Sequence, residues 1–228
     1  MKRTLVVAAV LLGAATMAAS AQKPDPAAIK DSIGASMMRL HKYQWLQTMK
    51  MSVKGEVKQT TVSQCMYQGG AKPTCTEISS TPAEKPSGGP IRKRKMEEAI
   101  AEMKAYMDSV KTLIGQYVPP EKEKIEAAMQ AGNVSVAPNP STGGLKLAVN
   151  NYTQPGDQMA FVVGSKDNQL RSVNINTYLA QPSSVVTLVV NYAALPDGTR
   201  YAKTTTLNAT AKQIVITVTT ANYAVAAQ

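Results

Sequence analysis

Trp45-Leu46-Gln47-Thr48-Met49-Lys50-Met51-Ser52-Val53-Lys54-Gly55-Glu56-Val57 is the stretch on which the reading of this chain turns. Trp45, Met49, Met51 and Val53 share one parity, and Thr48, Lys50 and Ser52 share the other. That is the two-residue period of a strand with one apolar face. Gly55-Glu56 offers a tight turn, and residues 57–67, studded with Thr, Val and Gln, continue as a second long strand. Together they read as a long antiparallel hairpin with Cys65 near its far end.

On the N-terminal side, Ile29, Ile33, Met37 and Leu40 recur at helical spacing within residues 27–41, with Lys30, Asp31, Ser32 and Arg39 between them. The pattern predicts an amphipathic helix whose apolar stripe lies on the hairpin. On the C-terminal side, residues 68–95 carry Gly69-Gly70, Pro73, Pro82, Pro86 and Gly88-Gly89-Pro90, which predicts a loop. Met96, Ile100, Met103, Met107 and Val110 then return to spacings of three and four, with acidic and basic residues on the opposite face. Pro119-Pro120 stops that helix and starts another, which Gly132 terminates, so residues 96–131 form a helical insertion between two β regions.

Beyond Asn133 the chain reads as strands at 145–152, 158–163, 170–179, 185–194, 199–207 and 213–223. Asp197-Gly198 between two of them suggests a primed hairpin turn. Connections this short force antiparallel neighbours, because a parallel crossover takes a dozen or more residues. The expected fold class is therefore α+β: one large, curved antiparallel sheet with about three helices on its concave face.

The first 21 residues read as a secretory signal: Lys2 and Arg3, an apolar run over residues 5–19, and Ala19-Ser20-Ala21 before Gln22. The apolar run is shorter than the roughly 18–20 residues that span a bilayer, which favours a cleaved signal over an anchor. No Cys follows it. Residues 22–228 are then expected as a single domain, periplasmic, soluble after cleavage and monomeric. Loss of Lys2 and Arg3 lowers the formal charge from +10 to +8. The basic residues are spread along the chain without interleaved aromatics or a nucleic-acid motif, so no nucleic-acid partner is expected. Cys65 and Cys75 are either a local disulfide or two free thiols, and an oxidising compartment favours the disulfide.

The residues that carry chemistry are few. His41 is the one histidine, no nucleophile elbow surrounds any serine, and no P-loop, dinucleotide fingerprint or zinc spacing is present. The expectation is a protein that is no enzyme and needs no cofactor or metal. The positive signal is methionine: ten residues beyond the signal, mostly on expected inward stripes, in a chain with one Phe and one Trp. Unbranched, polarizable Met suits a compliant cavity for an acyl chain, and equally suits plain gap-filling between helix and sheet. A run of Arg92, Lys93, Arg94 and Lys95 ahead of the long helix is a candidate contact for an anionic lipid or a partner, or a solvated loop end. The N-x-S/T patterns at Asn133, Asn151 and Asn208 are read as chance matches.

The order of elements, together with Leu40-His41-Lys42-Tyr43-Gln44-Trp45, Lys54-Gly55-Glu56-Val57-Lys58 and Leu195-Pro196-Asp197-Gly198-Thr199-Arg200-Tyr201, resembles the LolA-like superfamily of periplasmic lipoprotein carriers. The resemblance implies a half-barrel sheet closed by helices over an apolar cavity. It implies as function the carriage of lipid or lipoprotein acyl chains. Trp45, Met49, Met51, Met96, Ile100, Met103 and Met107 are the candidate lining. The competing expectation is an envelope interaction or sensing module that binds a membrane surface or protein through the basic run.

Overall fold

The computed structural model describes residues 26–70, 72–81, 89–139 and 143–226. The expected signal peptide and part of the Pro/Gly-rich loop lie outside the described residues. The elements are α1 (Pro26–Leu40), β1 (Tyr43–Val53), β2 (Glu56–Met66), β3 (Thr74–Ser80), α2 (Pro90–Gly115), α3 (Lys122–Gln130), β4 (Val134–Asn139), β5 (Gly144–Asn150), β6 (Gln158–Gly164), β7 (Leu170–Tyr178), β8 (Val185–Ala194), β9 (Arg200–Ala209), a 3-10 turn (Thr210–Lys212) and β10 (Ile214–Val225).

All ten strands form one antiparallel, unclosed, curved sheet in the order β3-β2-β1-β10-β9-β8-β7-β6-β5-β4. The N-terminal hairpin is grafted onto the last strand, with Met49 opposite Val218, Met51 opposite Ile216 and Val53 opposite Ile214. This order places β3 and β4, which are consecutive in sequence, on opposite edges. Nine inter-strand spacings amount to about 43 Å. The 26 residues of α2 rise about 39 Å. The helical insertion is thus a strap long enough to return the chain from one edge to the other.

The core lies under the C-terminal half of that strap. Val110, Leu113 and Tyr117 are buried with Val149, Met159, Ile175 and Val186 of the sheet. A second anchor is polar. Asp157, 2% exposed, accepts from the backbone N–H of Tyr152, Thr153 and Gln154 and from the Tyr117 hydroxyl at 2.5 Å. Thr177 sits 2.7 Å from the same phenol oxygen. Four donors converge on one carboxylate, so its desolvation is offset and α2 is fixed to the β5–β6 connection.

Several expectations change in detail. Residues 68–95 are not one loop: they contain β3 and the first turns of α2, which begins at Pro90. Thr74-Cys75-Thr76-Glu77-Ile78-Ser79-Ser80 shows no apolar alternation because every residue of this edge strand is exposed. β4 occupies a segment with no expected strand; as the other edge it tolerates Pro138. The hairpin turn is Lys54-Gly55, both at positive φ, one residue earlier than expected. At Asp197-Gly198 only the glycine has positive φ, and Asp197 instead accepts from the backbone and hydroxyl of Thr199. In α1 the packed position is Ser36, whose hydroxyl accepts from the Arg200 N–H, while Ile33 and Met37 are exposed. A small residue lets that helix approach β9 closely, and of the expected stripe Leu40 is half-buried.

Candidate ligand-binding face

Strand alternation puts Trp45, Gln47, Met49, Met51 and Val53 on one face of β1, and Met51 and Val53 pack against the core beneath α2. The two halves of this face are filled differently. β5, β6 and β7 carry repeated buried positions. Among the described residues of β1, β2 and β10, only Trp45, Cys65 and Ile214 are buried. Burial is therefore denser over β5, β6 and β7 than over β1, β2 and β10, where Met49 opposite Val218 and Met51 opposite Ile216 are half-buried.

The candidate lining is spread over β1 and α2. Met103 and Met107 of α2 pack on the same cluster as Met51 and Val53, and Val53 and Met103 line one cavity. Met49 and Met96 are half-buried. Ile100 is 56% exposed and does not join the cluster. Trp45 is buried at the far end, away from α2, among tyrosines. At the α2 end a cavity of about 350 Å³ is lined by Val53, Lys54, Ala99, Glu102, Met103 and residues 211–213. Its rim carries an ion pair of Glu102 with Lys212 at 2.5 Å. The hydrogen bond from that ammonium, then its charge, holds the Glu102 carboxyl below its ordinary range.

The basic run lies inside α2 rather than ahead of it. Arg92, Lys93, Arg94 and Lys95 are all exposed, and Lys93 and Arg94 pair with Glu97 and Glu98 one turn on. These pairs offset part of the cost of cations at a helix N-terminus. Ile91, 76% exposed, adjoins them. His41 is exposed and stacks on Tyr67 at 4.1 Å with an interplanar angle of 12°. Cys65 and Cys75 form a disulfide that ties the edge strand β3 to β2.

The sequence reading missed the aromatic group around Trp45. Tyr67 continues the parity of Cys65 and Trp45, which was a usable signal. Tyr223 was not recoverable, because a register shift between β1 and β10 next to Trp45 breaks the alternation that would place it.

No family model matches the chain, and none of the curated proteins does. Three solved structures are similar over most of their length. One is a DUF1329 family protein from Desulfovibrio piger, with 7% identity over 86% of this chain and 92% of that one, and a TM-score of 0.37. Another, from Vibrio parahaemolyticus, is described as an outer membrane lipoprotein-sorting protein domain, with 10% identity, 86% and 90% covered, and a TM-score of 0.39. The third is a LolA superfamily protein from Nitrosomonas europaea, with 6% identity, 88% and 94% covered, and a TM-score of 0.34.

Proposed function

We propose that this protein is a periplasmic carrier that holds the acyl chain of a lipid or lipoprotein in the trough between α2 and β1, β2 and β10. The observation that carries the reading is the asymmetry of the covered face: one half is packed solid by Val110, Leu113 and Tyr117, and the other is left half-buried beside methionines from both helix and strand. Burial of a chain there is driven by apolar area at about 25 cal/mol per Å². Flexible Met side chains adapt to its contour. The cavity at the α2 end falls in the lower part of the size range of ligand pockets. A disulfide is the chemistry of an oxidising compartment, which supports export.

The test is native mass spectrometry of protein purified without detergent, joined to uptake of a fluorescent fatty acid. Bound lipid or saturable uptake is expected, and Met51→Glu or Met103→Glu lowers uptake about tenfold or more. A protein that carries no lipid and takes up none sinks the reading.

A second reading, an envelope interaction module, draws on the exposed Ile91 and Ile100 beside the basic run of α2. Under it, replacing Arg92, Lys93, Arg94 and Lys95 by Gln weakens capture of anionic vesicles or an envelope protein and leaves fatty-acid uptake unchanged.

A further inference from the structure

The Trp45 end of β1 differs in chemistry from the Val53 end beneath α2. Trp45, the single tryptophan, stacks on Tyr223 with ring centroids 5.5 Å apart and 17° between planes. Tyr67 lies against it at 5.7 Å, and Tyr201 meets Tyr223 at 4.4 Å. His41 covers Tyr67 as the outermost ring of the group. The Trp45 side chain belongs to a residue only 6% exposed, and its Nε1 has no hydrogen-bond partner among the described residues. A buried indole N–H is costly to leave unmade, so an acceptor brought to it gains more than it would on the surface.

Alternation along β1 carries this end directly into the methionines. Met51 lies six residue steps along the strand from Trp45, a distance of about 20 Å. The face therefore runs from aromatic rings with one unpartnered donor, past the amide of Gln47, to thioethers and aliphatic groups, as polar head and apolar tail succeed each other in an amphiphile.

We propose that the aromatic end is the head-group subsite of the trough and takes the ester or amide carbonyl of a long-chain acyl lipid, with Trp45 Nε1 as donor and the tail running toward Met51. This rests on the carrier reading and gives it a direction. An alkane tail alone brings no acceptor to the indole. A bare anion would lose its hydration beside the buried indole, at a large cost. A neutral carbonyl matches a neutral donor. The stack of exposed His41 on half-buried Tyr67 is the part that would shift to admit it.

Two amphiphiles matched in tail and glycerol head separate the outcomes: monopalmitoylglycerol, with an ester carbonyl, and its hexadecyl ether analogue, without one. The wild-type chain is expected to bind the ester about tenfold more tightly, the worth of one hydrogen bond made in a buried site. Trp45→Phe keeps an apolar ring, removes the N–H, and brings the ester to within about twofold of the ether. A measurement on the unaltered chain accompanies it: bromine next to the carbonyl quenches Trp45 emission, and bromine at the tail end does not. Equal affinities in the wild type, an equal loss of both ligands in Trp45→Phe, or quenching only by the tail bromine overturns the head-group assignment while acyl binding stands. Failure of both amphiphiles to bind overturns the carrier reading and this inference with it.

Discussion

Asp157 shows how much one side chain can hold in place. Its carboxylate joins the β5–β6 connection to the end of α2 through four donors, and it is almost fully buried. Asp157→Ala leaves those donors without an acceptor and is expected to cost about 3 kcal/mol in urea unfolding. Tyr117→Phe, which removes one donor and keeps the ring, costs about 1 kcal/mol. The phenols also set an alkaline limit. Burial pushes the Tyr223 hydroxyl up to about 12, and burial followed by the hydrogen bond to Asp157 pushes Tyr117 higher still. The folded chain keeps these protons where the unfolded chain, near the ordinary value of 10.0, has lost them. Their contribution is therefore complete below pH 10 and falls as pH rises through about 12. In urea midpoints followed from pH 9 to 12, Tyr223→Phe is expected to lose stability less steeply than the wild type.

At the level of elements, α2 is two helices in function. Leu113→Ala, in the sealed half, is expected to cost about 2–5 kcal/mol. Ile100→Ala, in the half that stands off the core, stays within about 0.5 kcal/mol. Thermal unfolding of the two variants checks both figures. The sequence periodicity of α2 runs evenly from Met96 to Ile114, so it predicts the helix but not this division. Periodicity reports which face is apolar; only the sheet's position decides which part of that face is covered. The same distinction explains what else was legible. β1, β2 and β5 to β10 stood out, each bounded by turn residues or broken alternation. β3 and β4 did not, because an edge strand is specified by a ladder on one side and needs no apolar face. Of the candidate site, the methionines of β1 and α2 were readable from parity and helical spacing. The aromatic end was not, since Tyr223 reaches Trp45 past the register shift of β10 and Tyr201 arrives from another strand.

For the molecule as a whole, the sheet ends in β3 on one side and β4 on the other, and the β3 edge is fastened covalently. Cys65 and Cys75 sit opposite each other in the β2–β3 ladder. Replacing both by Ser is expected to cost about 2–3 kcal/mol, as for a short closed loop. The effect should be uneven: amide hydrogen exchange rises in β3 well before it rises in β7, which lies inside the sheet. Equal loss of protection in the two strands would show that the bridge steadies the whole sheet rather than its edge.

The pairing of β1 with β10 also governs the order in which the molecule can be completed. Tyr43 lies opposite Val225, and Val53 opposite Ile214. This seam, the third from the β3 edge, thus joins the first of the described strands to the last. A chain emerging from its N-terminus builds the β1–β2 hairpin early and must keep the open flank of β1 unpaired until β3 to β9 and then β10 have been delivered. Contacts so distant in sequence close slowly, and an unpaired strand flank invites wrong partners in the interval. The hydrophilic Thr48, Lys50 and Ser52 on the other face of β1, with the charge of Lys50 among them, make that waiting strand a poorer template for association.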